Sequence, residues 1–278
     1  MSFDKPFAWV LAVAFCSSLV PTAGAQTYEQ LEKMCFAKGS SDDQTIRGCS
    51  AIITGGRRSG TYLGAAYGGR GFAYLNRGDF DHALPDLNQA IRLNPNDFAS
   101  LNNRGRIYLK RDELDQALSD FTASLRIKPD YFRALINRGG VYQMQGDTGR
   151  AIADYDRAIQ NNPSFANAYT QRAYGYLVLG QPEKALADCN ESHRLEPNAR
   201  YMLEMCGAAN LRLNHLDAAI TFFDADLRAR PNTAWSLYGR GVAKRRKGDV
   251  AGGDADIAAA RALSSTITAG MAHVGIRP

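Results

Sequence analysis

Histidine is scarce in this chain, four in 278 residues, and His82, His193, His215 and His273 are scattered so that no two share a helical turn with a carboxylate. That spacing excludes a histidine-built metal centre. The glycines between Gly64 and Gly71 lack both the Lys-Ser/Thr ending and the strand-turn-helix setting of a phosphate loop, so they read as helix packing in an irregular first unit. No serine sits in a nucleophile-elbow context. The chain is therefore expected to be no enzyme and to carry no metal or cofactor. Charge of one sign is lacking too: the net +5 is spread along the whole chain, which fits solubility and gives no case for nucleic acid or an anionic membrane.

Long apolar runs are absent but for one, Phe7 to Val20, preceded by Lys5 and followed by the small residues Ala23-Gly24-Ala25. It reads as a cleavable signal peptide over residues 1–25, cut before Gln26. The run is short for a bilayer span and Pro21 ends it, so no integral membrane segment is expected after cleavage. Cys16 follows Phe15, a poor context for lipid attachment. The expected location is periplasmic or secreted. Cleavage leaves Cys35, Cys49, Cys189 and Cys206, two sequence-local pairs, which in an oxidising compartment favours two disulfides over two pairs of buried thiols.

What the chain has is a period. Pro95, Pro129, Pro163, Pro197 and Pro231 fall every 34 residues, with Ser265 in the next place. Gly71, Gly105, Gly139, Ala173, Gly207 and Gly241 keep the same phase, and Tyr74, Tyr108, Tyr142 and Tyr176 follow three residues later. Such a period predicts an all-α stack of helix pairs, each burying its apolar face against its neighbours. In the unit from Phe98 to Tyr131, Leu101, Gly105, Ile107 and Tyr108 mark a first helix, and Ala117, Phe121 and Leu125 a second. Gly105 and Ala117 let the two approach, Phe121 fills the remaining space, and Pro129 ends the unit. Gly78, Gly146, Gly180 and Gly248 mark turns between paired helices. Bridges Cys35 to Cys49 and Cys189 to Cys206 would each join adjacent helices, closing loops worth about 3 kcal/mol.

The third unit, with Leu135, Gly139, Tyr142, Ala151, Tyr155, Ala158 and Pro163, resembles the tetratricopeptide repeat family. The resemblance implies a right-handed solenoid of antiparallel helix pairs: an N-terminal helical cap at 26–63, five units at 64–233, a degenerate sixth at 234–267 and a tail at 268–278. It further implies an exported bacterial adaptor that binds protein or peptide partners in a concave groove lined by the first helices. By register the groove positions are Phe72, Arg106, Lys110, Arg133, Tyr174, Tyr201, Glu204, Trp235, Tyr238 and Arg245, suited to extended segments of apolar and acidic character. The Lys and Asn pair with which chaperone-binding members grip a terminal carboxylate is absent, since the matching positions hold Asn102 and Arg106 in one unit and Thr170 and Tyr174 in another. The alternative is an envelope structural or assembly factor that makes its contacts through the convex face or the ends.

One pattern departs from the family. Arg70, Arg104, Arg138, Arg172 and Arg240 precede the small residue, and Asp86, Asp120, Asp154, Asp188 and Asp256 follow sixteen residues later, whereas the fifth unit has Cys206 and Phe222 instead. Joint loss predicts an ion pair within each unit, because one partner alone would strand a partly buried charge. The other reading is five arginines recruited for ligand binding. The densest basic run, Lys244-Arg245-Arg246-Lys247, ends a first helix, where cations suit the helix dipole.

Overall fold

The computed structural model describes residues 27–56, 59–197 and 201–278. The expected signal peptide lies outside them. Fifteen helices and no strand occur among the described residues. The cap is a helix pair, α1 (Tyr28–Phe36) and α2 (Asp42–Gly55), each started by a capping box, Thr27 with Gln30 and Ser41 with Gln44. Six pairs follow: α3 (Gly60–Asn76) with α4 (Phe80–Leu93), α5 (Phe98–Lys110) with α6 (Leu114–Ile127), and α7 (Phe132–Met144) with α8 (Thr148–Asn161). The rest are α9 (Ala166–Val178) with α10 (Pro182–Leu195), α11 (Met202–Arg212) with α12 (Leu216–Ala229), and α13 (Ala234–Arg246) with α14 (Val250–Leu263). A short α15 (Ile267–His273) ends the array.

Size complementarity sets the approach of each pair. A Cβ placed on Gly105 would lie 2.7 Å from the Phe121 ring, and one on Gly139 or Gly207 only 2.5 Å from Tyr155 or Phe223. The fourth unit reverses the arrangement, with the larger Ala173 opposite the smaller Cys189. The turn after each first helix places one residue in the left-handed region. Gly78, Gly146, Gly180 and Gly248 take it freely, whereas Asp112 (φ 61°) and Asn214 (φ 59°) take it at a cost.

The arginines and aspartates pair as their joint loss predicts. Arg138 donates to both carboxylate oxygens of Asp154 at 2.8 Å, and Arg70, Arg104, Arg172 and Arg240 grip Asp86, Asp120, Asp188 and Asp256 in the same two-pronged way. Four of the five guanidinium groups, all but that of Arg138, also have a third arm, and that of Arg70 reaches Ser50 of the cap at 3.0 Å. Arg104 Nη1 reaches Asn88 at 2.8 Å, Arg172 Nη1 reaches Asp156 at 2.6 Å and Arg240 Nη1 reaches Asp224 at 2.7 Å, all on the second helix of the preceding unit. The ladder thus ties neighbouring units together as well as the two helices of one unit.

At the fifth unit the ladder is interrupted. Cys206 stands with its Cα 5.4 Å from that of Cys189, joining α10 to α11, and Cys35 and Cys49 are 4.8 Å apart between α1 and α2. Both separations fall within the span of a disulfide, in the pairing expected from the sequence. A second polar cluster forms below the break: Arg230 bonds to Glu204 and Asp226, and Ser236 Oγ donates to Asp226 at 2.6 Å.

The last residues do more than cover the end of the stack. α15 packs on α13, and a left-handed Gly275 closes it: Gly275 N–H donates to the Ala272 carbonyl and Ile276 N–H to that of Met271. Ile267, Met271, Val274 and Ile276 are buried in one cluster with Leu177, Ala208, Leu211, Tyr238 and Val242 of the first helices.

Candidate partner-binding groove

First helices of successive units lie directly against one another, α3 on α5, α5 on α7 and so on to α11 on α13, which puts them on the inner curve of the array. Between α3, α5 and α7 the inner face opens into a groove of about 700 Å³ that extends to Phe165 and Asn167 at the start of α9.

Its floor is a chain of amides. Asn137 Nδ2 donates to Asn102 Oδ1 at 2.9 Å, and Asn102 Nδ2 approaches Asn103 Oδ1 at 3.4 Å. Asn102 and Asn103 are buried. Arg106 stands over Asn103 at 3.4 Å, and the Arg133 guanidinium lies over the rings of Phe132 and Phe165 at 5.2 and 5.8 Å. Neither arginine has an acidic side chain within salt-bridge distance among the described residues. Burial, and then the like charge of Arg133, push the Arg106 guanidinium below its ordinary pKa. Burial raises the Tyr131 phenol beside them, the two cations partly opposing it. The single carboxylate in the wall, Asp97, is engaged as the cap of α5, accepting from the Ala99 and Ser100 amides and from Ser100 Oγ. Phe72, 42% exposed, supplies an apolar edge.

Such an arrangement can hydrogen-bond a peptide backbone through its amides, attract an acid through two unneutralised cations, and pack an apolar side chain on aromatic rings. It offers no paired acid and base. Among the described residues no group of three His, Cys, Asp or Glu could hold a metal, and no helix is long and apolar enough to cross a membrane.

Of the positions expected from register, Phe72, Arg106 and Arg133 come together in this groove. Lys110 is exposed but lies outside the cavity wall. Tyr174 and Trp235 are half-buried against the C-terminal core. Tyr201 is exposed, with a left-handed backbone, and the Arg230 guanidinium lies over its ring at 5.7 Å. Three expectations are corrected. Tyr238 is fully buried and presents nothing to a partner, because α15 and the residues after it cover that stretch of the inner face. Glu204 is buried and bonded to Arg230. Arg245 turns toward its own second helix: its stem packs on Gly253, and Nη1 lies 3.2 Å from Asp254. The exchange of the usual alanine for Gly253 makes room for that stem.

Asn103, Asn137, Tyr131 and Phe165 were not among the expected positions. Their signal is positional: Tyr131 and Phe165 each stand two residues after a repeat proline, and Asn103 and Asn137 are one period apart.

The sequence matches the tetratricopeptide repeat family over residues 70–132 and again over 132–165. Among solved structures it is similar to a tetratricopeptide repeat protein from Parabacteroides merdae, at 21% identity and a TM-score of 0.58 over 76% of this chain and 87% of that one. It is similar to YrrB, described as a repeat protein with an unusual peptide-binding site, at 20% identity and a TM-score of 0.52 over 64% and 92%. PilW, described as a type IV pilus biogenesis factor, matches at 18% identity and a TM-score of 0.64 over 72% and 93%. A search of the curated proteins gave no match.

Proposed function

We propose that this chain, which matches the tetratricopeptide repeat family over residues 70–132 and 132–165, is a scaffold for protein interactions that holds an extended peptide segment of a partner in the open half of its concave groove and catalyses nothing. The observation that carries this reading is the pair Arg106 and Arg133, two cations in one groove wall with no acidic side chain within salt-bridge distance among the described residues, above a floor of asparagine amides. A bound carboxylate would offset the burial, and then the repulsion by Arg133, that lower the Arg106 pKa, and would do so partly shielded from bulk water, where the attraction is stronger. Phe72 and Phe165, the latter backed by Phe132, offer apolar contacts in the same groove, so the fitting segment places an Asp or Glu between apolar residues. That YrrB has a peptide-binding site and PilW serves pilus biogenesis is compatible with such a role.

Display of random twelve-residue peptides against the full chain tests this. Enriched binders should carry an acid flanked by apolar residues and weaken at least tenfold with Arg106→Ala or Arg133→Ala. Binders indifferent to both substitutions would refute the groove. We also infer export, supported by the apolar run at Phe7 to Val20 and by two cysteine pairs at bridging distance. N-terminal sequencing of the protein from its native source should begin at Gln26; an intact Met1 would overturn the inference.

A further inference from the structure

The groove changes character along its length. At the position after each small residue, the open half has Phe72 and Arg106, whereas the C-terminal half has Ala208 and Val242. At the Asn102 register the C-terminal half has Tyr238. A groove position on a solenoid's inner face is ordinarily wet, yet Ala208, Tyr238 and Val242 are fully buried. Their cover is the chain's own end: Met271 and Val274 are fully buried with them, and Ile276 is 1% exposed.

The seat of that end has the features of a peptide complex. Arg212 Nη1 donates to the Val274 carbonyl at 2.5 Å and to the Leu177 carbonyl at 3.4 Å, bridging tail and α9. Arg246 donates through Nη2 to the Arg277 carbonyl and through Nη1 to that of Leu211, both at 3.3 Å. Neither arginine pairs with an acid among the described residues; both are spent on backbone carbonyls. Between them the chain carries Gly275, whose left-handed φ of 76° favours glycine and where a Cβ would meet the Arg212 guanidinium. Two guanidinium groups reading main-chain oxygens, with two aliphatic side chains straddling a glycine, make up a recognition mode that does not depend on covalent continuity with α14.

We propose that residues 267–278 are a resident ligand in cis of a second peptide site, formed by α9, α11 and α13, and that the site accepts in trans an apolar segment of aliphatic-Gly-aliphatic pattern when the tail leaves. The cis segment sets an effective concentration that an external peptide must exceed, so the site is autoinhibited. This site is independent of the open half and would stand if no partner bound there.

Two measurements on the full chain test the proposal. In hydrogen exchange of the wild type, the Gly275 and Ile276 amides, bonded to Ala272 and Met271, should exchange at least about tenfold faster than the interior amides of α13, through a local opening. Exchange at the α13 rate would make the segment a permanent part of the core and overturn the proposal. The second measurement uses a fluorescent synthetic peptide of residues 267–278. It should bind the Ile276→Asp chain, whose tail is released, at least tenfold more tightly than the wild type, and lose that binding when Val242→Glu is added. Equal binding to wild type and variant, or indifference to Val242→Glu, would overturn it. A wild-type dimer that free peptide dissociates would assign the seat to the tail of a second copy and refute the cis arrangement.

Discussion

Removal of the carboxylate from the third rung of the ladder should cost far more than a surface ion pair does. Arg138 and Asp154 are the simplest rung, because the hydrogen bonds of that guanidinium all run to that carboxylate. Their side chains are 16% and 6% exposed, against the half-exposed pairs elsewhere on the array. Asp154→Ala leaves the Arg138 charge between α7 and α8 without a counter-ion, which puts the loss at about 3 kcal/mol, the lower end for a broken buried pair because the arginine keeps some contact with water. Arg138→Ala strands the deeper partner and should cost at least as much. With both removed the total should fall short of the sum by about 2 kcal/mol, the coupling expected of contacting charges. Urea unfolding of the four proteins closes this cycle. Repetition in 1 M NaCl should leave most of the coupling intact, since a pair this enclosed is poorly screened. Losses below about 1 kcal/mol that add without coupling would show that the ladder is decoration.

Three further outcomes follow from particular residues. Asp112→Gly should raise stability by about 1 kcal/mol in the same urea assay, because φ 61° strains an aspartate and not a glycine; the converse change, Gly146→Ala, should lower it by a similar amount. Tyr155→Phe should be neutral or stabilising by up to about 1 kcal/mol, since the buried hydroxyl has no hydrogen-bond partner among the described residues and its removal leaves none stranded. Thiol titration of the denatured, unreduced protein from its native compartment should find no free Cys35, Cys49, Cys189 or Cys206, and reduction should lower stability by about 3 kcal/mol per bridge.

The solenoid was legible because its determinants are local and repeated. A glycine facing an aromatic sixteen residues on, and a proline closing each unit, act within one helix pair, so register alone places them. The Arg-Asp pairs were legible for the same reason, with Cys206 and Phe222 as the telling exception. Their third arms were less so. Asn88, Asp156 and Asp224 share the offset sixteen residues upstream of an arginine, but Thr122 at that offset breaks the pattern.

The groove was read only in part. Register and structure both put Phe72, Arg106 and Arg133 in the groove, where no other segment among the described residues fills the space. Register failed at Tyr238, where the competitor is a segment more than thirty residues later, and no pattern within a unit reports such a contact. Arg245 failed for a local reason that could have been seen: Gly253 replaces the usual alanine directly opposite, leaving a gap that a long side chain fills.

In the proposed function, the open half of the inner face grips an acid-bearing peptide through Arg106 and Arg133. The direct measurement is the affinity of one selected peptide for the wild type, the two single alanine variants and Lys110→Ala, compared at 50 and 300 mM salt. At least a tenfold loss is expected for Arg106→Ala and for Arg133→Ala, little change for Lys110→Ala, and a weaker salt dependence in both arginine variants because each has lost a charge contact. Affinity that survives both arginine substitutions unchanged, with the salt dependence of the wild type, would contradict it.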